Sequence, residues 1–293
     1  MTEETKIEAG DSSGVQNWKL TLAYDGTGFY GWQVQPGRPT IQGELQAALG
    51  RITGEAPLPQ GSGRTDAGVH ALGQVASFAL RAAIPPENLE RALNRILPPS
   101  IRICEARTAP GGFHARHSAK AKTYEYRVFR GGICPPFLAR YVHPCAWPME
   151  FAALEESARM FVGEHDFLSF AASDPDLALR GLDGDPEPGP GTHTEIEPAG
   201  AATHASTRTI FASSWEQRRS GDGEIWAYRV RGNGFLHHMV RNLVGTMLDV
   251  GRGRLKIEEI GKILEARARP AAGPTAPARG LFLHSVEYDE GLN

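Results

Sequence analysis

Apolar residues recur along this chain with two different periods, and the switches between them predict its elements. Residues 17–25 read as a strand closed by the Asp25-Gly26 turn. Ile41, Leu45, Ala48, Leu49 and Ile52 return at helical spacing and predict a helix over 40–53. A glycine-marked loop over 61–70 leads into a strand over 72–80. A second helix, over 86–97, has a proline near its first position and Leu89, Ala92, Leu93 and Ile96 on one face. A strand over 101–107 follows. In the second half, 122–130 reads as a strand with Tyr124, Tyr126 and Val128 on one side, and 148–163 as a helix stopped by glycine. Residues 206–217 and 224–232 pair as a hairpin across 218–223. Helices are expected over 234–250 and 256–268, and a closing strand over 281–288.

Strands and helices alternate here without the regular rhythm of a parallel sheet, so the expected class is α+β with antiparallel sheet. Two comparable α+β halves, 17–110 and 111–293, follow an acidic tail over 1–16 read as disordered. Residues 171–205 are rich in Asp, Pro, Gly and Ala and read as a mobile surface insertion in the second half.

Composition narrows the class. With 293 residues, 41% hydrophobic and 22% charged, the chain has ample apolar content for a core. No run of eighteen apolar residues occurs, so no membrane span is expected. Residues 1–14 lack the basic start and apolar run of a secretory signal. The three cysteines, Cys104, Cys134 and Cys145, form no Cys-x-x-Cys pair, and a reducing cytoplasm is the expected home. The net charge of −3 argues at first against nucleic acid. Yet residues 1–13 carry −3 and residues 174–200 carry −6, which leaves +6 on the remaining chain. A mildly basic body is compatible with phosphate binding, though charge alone does not establish it.

Three segments carry candidate chemistry. The first is Gly61-Ser-Gly-Arg-Thr-Asp-Ala-Gly-Val-His70. It has the Gly63/Gly68 spacing of a P-loop, but Val69 and His70 stand where lysine and the magnesium-binding hydroxyl belong. A dinucleotide fingerprint fails because Asp66 occupies a glycine position. Two readings remain: an Asp-initiated turn over Asp66-Ala67-Gly68, or a carboxylate on a rigid loop, favoured in its ionised form by Arg64 and placed to act as nucleophile or base. The second segment is Gly232 to Gly245. Its helix is apolar on most of its surface, with a polar stripe of His237, His238, Arg241 and Asn242. Arg241 on a buried helix needs an anionic partner: the catalytic carboxylate, an RNA phosphate or a structural ion pair, unless the stripe opens to water. The third is Phe113 to Tyr126, where Arg116, His117, Lys120, Lys122 and Arg127 cluster among aromatics, as expected where RNA is gripped. Tyr124 and Tyr126 serve equally as core packing on that pattern. Histidines at 114, 117, 165, 237 and 238 raise a metal-dependent hydrolase, but neither His-Glu-x-x-His nor a deaminase pattern with paired cysteines occurs.

Five ordered blocks resemble the tRNA pseudouridine synthase A family: Tyr24-Asp-Gly-Thr-x-Phe-x-Gly-Trp-Gln33, Gly63-Arg-Thr-Asp-Ala-Gly-Val-His-Ala-x-Gly-Gln-Val75, Phe113-His-Ala-Arg-x-Ser-Ala119, His165-Asp-Phe167 and Phe235-x-His-His-Met-Val-Arg-Asn242. The resemblance covers about 18–288 apart from the insertion. It implies a pseudouridine synthase fold, in which two α+β halves join their antiparallel sheets, flanked by helices, with a basic cleft between. It implies a homodimer acting on uridines 38, 39 and 40 of the tRNA anticodon stem-loop, with no metal and no organic cofactor. Asp66 matches the essential aspartate, with three routes open to it: attack on C1′, attack on uracil C6, or removal of the C2′ proton. Arg64 and Arg241 match arginines lining the site, Arg241 as ion-pair partner of the aspartate. Tyr124 matches the tyrosine against the target base, and Leu281 an apolar wall beneath the uracil. Phe29 to Gln33 and the basic face near Arg116 and His117 lie near RNA in the family. The alternative is a tRNA-binding or chaperone protein without catalysis. The acidic insertion departs from the family pattern and bears on affinity and substrate range.

Overall fold

The computed structural model describes residues 14–172, 206–289 and 291. Residues 1–13 of the expected tail and 173–205 of the expected insertion lie outside the described residues. The chain divides into two compact units. One runs to Ala119 and takes in Tyr288 and Asp289; the other is Lys120–Glu287. Among the described residues no helix is long and apolar enough to cross a membrane.

The first unit is an antiparallel sheet backed by two helices. Its strands are β1 (Gln16–Tyr24), β2 (Gln60–Gly61), β3 (His70–Leu80) and β4 (Ile101–Ala109), in the order β4-β1-β3 with β2 on β3. Trp18, Leu20, Leu22 and Tyr24 alternate along β1 and are all buried, which fixes its register because a one-residue slip would expose them. Leu20 stands opposite Ala76 of β3 and Ala106 of β4. Helix α1 (Ile41–Thr53) starts where the Thr40 hydroxyl accepts from Gly43 N and buries Ile41, Leu45, Ala48 and Leu49. Helix α2 (Pro86–Ile96) buries Leu89 and Leu93. Fully burying leucines of this kind contributes about 1.5–3 kcal/mol each. Asn94 ties α2 to β4, accepting from Ile103 N at 2.8 Å and donating to Ile103 O at 2.9 Å. Lys19 lies against Tyr288, its ammonium 4.6 Å from the ring centroid, and burial, with Arg107 beside it, lowers its pKa to about 8.

The second unit has strands β5 (Ala121–Arg130), β6 (His143–Pro144), β7 (Gly163–Asp166), β8 (Thr207–Ser220), β9 (Gly223–Gly232) and β10 (Leu281–Glu287), in the order β10-β5-β9-β8-β7. The pairings are antiparallel except for β6, which lies parallel to β5. The hairpin is tighter than expected: Ser220 pairs with Gly223, so the loop read over 218–223 shrinks to Gly221-Asp222. Glu125 on β5 is buried and holds Arg127 at 2.6 Å, Arg229 at 2.8 Å and Arg218 at 3.2 Å. Burial alone would raise its pKa, but hydrogen bonds from Arg127 and Arg229, with the Arg127 and Arg218 charges, hold it below the usual carboxylate range.

Three helices complete this unit: α3 (Phe151–Arg159), α4 (Met239–Gly251) and α5 (Glu259–Ala266). Each is shorter than the sequence pattern indicated. The largest change is at α4, expected from 234. His238 has φ +58, a left-handed backbone that cannot continue a right-handed helix, and it caps α4 instead. The rest of α4 is buried nearly throughout, as its all-round apolar pattern requires.

Candidate active site

In the first unit, the glycine-marked loop runs from Gly61 at the end of β2 to His70 at the start of β3. Main-chain bonds hold it along its length. Ser62 N donates to Val75 O at 2.8 Å, and Trp32 N donates to Thr65 O at 3.0 Å. Asp66 to Val69 closes as a turn, with Val69 N donating to Asp66 O at 3.1 Å. Gly68, at the third position, has φ +76, the conformation a type II turn reserves for glycine. Gly31 packs beneath the loop at φ +88, and a Cβ there would come within 2.5 Å of Thr65 O, so no other residue fits without moving the loop.

Side chains fix the same segment. Gln74 is fully buried in β3; its Oε1 accepts from Ser62 Oγ at 2.7 Å, and its Nε2 donates to Gly63 O at 2.9 Å. The Tyr24 hydroxyl lies 2.8 Å from Thr65 Oγ1. At the far end of the loop, Gly26 N donates to Nδ1 of the buried His70 at 3.1 Å. Ser62, Thr65 and Val69 therefore point into the unit, Arg64 and Ala67 are exposed, and Asp66 is half-buried between them. Such an arrangement can hold a carboxylate still while leaving it open to a ligand. The Asp-initiated turn is present, and the loop that carries it is held at several points along its length.

Arg116 and His117 also belong to the first unit. Both are exposed, and both main-chain amides donate to His114 Nδ1, at 3.1 and 3.3 Å. Arg127, expected in the same basic cluster, belongs to the second unit and is engaged by Glu125 and stacked over Phe282, its guanidinium carbon 3.9 Å from the ring centroid. It is a structural cation rather than part of a surface grip.

Tyr124, Leu281 and Arg241 lie in the second unit. Tyr124 stands opposite Leu283, and Tyr126 opposite Leu281, so rings from β5 and leucines from β10 share one sheet face. Tyr126 is core: it is fully buried, and its hydroxyl donates to Pro277 O at 2.9 Å. Burial pushes that phenol far up, against the opposing charges of Arg241 and Arg279. Tyr124, 8% exposed, meets Phe235, which precedes α4. Arg241 Nε donates to Ala276 O at 2.8 Å, and Ala276 N returns a bond to Arg241 O at 3.1 Å. A carbonyl thus supplies part of what the sequence pattern demanded of an anion.

Two buried amides with several hydrogen bonds each, Gln74 and Asn242, had no assigned role from sequence. Gln74 could have been suspected as a long polar side chain inside a mostly apolar strand. Asn242, read as part of a polar stripe, is fully buried. It donates to Phe170 O at 2.7 Å and accepts from Arg269 at 3.0 Å and from Thr275 Oγ1 at 2.6 Å.

Comparison with known proteins adds an independent line. The family model described as tRNA pseudouridine synthase matches residues 21–118 and 191–289. A protein of Solibacter usitatus named tRNA pseudouridine synthase A is 46% identical over 271 residues, covering 92% of this chain and 98% of that protein. Proteins of the same name from Moorella thermoacetica and Caldicellulosiruptor saccharolyticus are 43% and 38% identical, over 92% and 94% of this chain and 98% and 100% of their own lengths.

Proposed function

Because this chain belongs to the tRNA pseudouridine synthase family, we propose that it isomerises uridine to pseudouridine at positions 38, 39 and 40 of the tRNA anticodon stem-loop, with Asp66 as the reacting side chain. The observation that carries the assignment is the Asp66 turn: a half-buried carboxylate on a loop whose neighbours are locked from beneath.

The reaction breaks the N1–C1′ bond, turns the uracil and joins C5 to C1′; C5 then loses a proton and N1 gains one. A base inside the stem must first leave its stack, at a cost of about a few kcal/mol. Exposed Arg116 and His117 offset that by gripping phosphate. Tyr124 and Leu281 give the extruded uracil an apolar wall. Arg64 and Arg241 supply positive charge to the reacting nucleoside, where the departing uracil carries negative charge. The rearrangement is redox-neutral and takes nothing from outside, so the proposal includes no metal and no organic cofactor. It further takes the enzyme to be a cytoplasmic homodimer.

The rival reading is a tRNA-binding or chaperone protein without catalysis. The test is incubation with undermodified tRNA followed by position-resolved pseudouridine mapping. Product at 38–40 is expected from the wild type. Asp66→Ala is expected to abolish it while tRNA binding persists. A wild type that binds tRNA and forms no pseudouridine would establish the rival, and normal activity in Asp66→Ala would remove the assigned role.

A further inference from the structure

Beneath Asp66 lies a buried hydrogen-bond network that the proposed chemistry does not consume. Gln74 is its crosspiece. Besides the bonds to Ser62 and Gly63, its Oε1 accepts from Val75 N at 3.1 Å and its Nε2 reaches the Tyr24 hydroxyl at 3.4 Å. Tyr24 in turn meets Thr65 Oγ1 at 2.8 Å. Ser62, Gly63 and Thr65 are therefore held by side chains from β1 and β3, and of residues 62–65 only Arg64 faces outward.

Gln74 presents an N–H to the phenol oxygen, and either hydroxyl can donate in the Tyr24–Thr65 bond, the threonine's proton or the phenol's own proton serving. Burial pushes the Tyr24 phenol up to about 12, against its bonds with Thr65 and Gln74, so the hydroxyl keeps that proton at neutral pH. None of the three polar groups is exposed: Tyr24 is 4%, Thr65 7% and Gln74 0% accessible. They are placed to act on Asp66 through the loop and not on a ligand.

We propose that Tyr24, Thr65 and Gln74 are positioning residues that set where the Asp66 carboxylate stands, and so control turnover without contributing to RNA binding. This rests on the assignment of Asp66 as the reacting group. The physical basis is that a misplacement of about 1 Å at a reacting atom costs about 10²-fold in rate, whereas loop contacts to RNA tolerate such a shift. A network that served folding alone would change melting temperature and leave the rate per folded molecule untouched.

The test uses Tyr24→Phe, Thr65→Val, Thr65→Ser and the double variant Tyr24→Phe/Thr65→Val. Single-turnover rates on undermodified tRNA, tRNA affinity and melting temperature are measured for each. Tyr24→Phe and Thr65→Val are each expected to slow the reaction about 10- to 100-fold with unchanged affinity. Thr65→Ser, which keeps the hydroxyl, is expected to retain most of the rate. The double variant is expected to be no slower than the slower single, because both singles remove the Tyr24–Thr65 bond and Tyr24→Phe alone already removes the Gln74 contact as well. Wild-type rates in folded Tyr24→Phe and Thr65→Val would overturn the proposal, as would losses that multiply in the double variant or Thr65→Ser falling as far as Thr65→Val. Should Tyr24→Phe fail to fold, the isosteric Thr65→Val and its serine counterpart decide the question alone. A wild type that forms no pseudouridine removes the functional reading itself, a separate outcome read before any variant is made.

Discussion

Tyr124 and Phe235 meet edge to face, with ring centroids 5.0 Å apart and planes at 77°. Phe235 comes from the turn ahead of α4, so the residue proposed to face uracil is steered by the same segment that delivers Arg241. Aromatic pairs of this geometry contribute about 0.5–1.5 kcal/mol beyond burial. Phe235→Ala is expected to lower kcat/KM on tRNA by roughly 2- to 12-fold, with Phe235→Leu in between. Unchanged kinetics alongside a lower melting temperature would reduce the pair to core packing.

Arg241 is bonded to Ala276 through both its guanidinium and its carbonyl. Losing the side-chain bond is expected to cost about 1 kcal/mol of stability in Arg241→Ala. Turnover is expected to drop further than tRNA affinity, because its proposed role is in the reaction and not in the grip. Parallel measurement of kcat and tRNA dissociation constant separates the two; a change in affinity alone contradicts the assigned role.

Asn242 joins α4 to Phe170, Arg269 and Thr275 with no exposure to water. Asn242→Ala leaves buried partners unsatisfied and is expected to destabilise the protein by about 1–3 kcal/mol. Asn242→Leu fills the space without restoring a bond and is expected to be no better. Urea denaturation of the two variants against wild type measures both.

Glu125 makes stability depend on acid. Its folded pKa lies below the ordinary value, so its contribution is present above the usual carboxylate range and disappears as pH falls through the folded pKa. At pH 7 Glu125→Gln is expected to cost about 2 kcal/mol. The cost is held down because Arg127, Arg218 and Arg229 keep partial access to water. Chemical denaturation across the acid range should show the difference from wild type shrinking toward zero as the glutamate protonates. A difference that persists at the lowest pH would mean the arginines are not what Glu125 holds.

Much of the architecture was legible because burial is one-sided. Alternation placed β1 and β5, and helical spacing placed α1 and α2, to within a few residues. The short strands β2, β6 and β7 carry too few residues to show a period and were not anticipated. The start of α4 was misread because Phe235 and Leu236 continue the apolar pattern while the backbone at His238 turns left-handed, a change that side-chain chemistry does not announce. Of the site, the Asp66 loop stood out by its glycines and its arginine. Gln74 and Asn242 did not, since a buried amide is recognised only by the partners the fold brings to it. Arg127 was grouped with the exposed cations because neighbours in sequence look alike; its partners are Glu125, two residues before it on β5, and the Phe282 ring, which β10 brings from far along the chain.

The backbone at His238 bears on how this protein would respond to selection for heat tolerance. A left-handed conformation costs a non-glycine residue about 1–3 kcal/mol, and glycine, without a Cβ, enters it at no steric cost. Libraries screened only for survival after heating should therefore drift toward glycine at 238. Libraries screened for product should hold the histidine if its imidazole serves the reaction, and divergence between the two pools would read out that service directly.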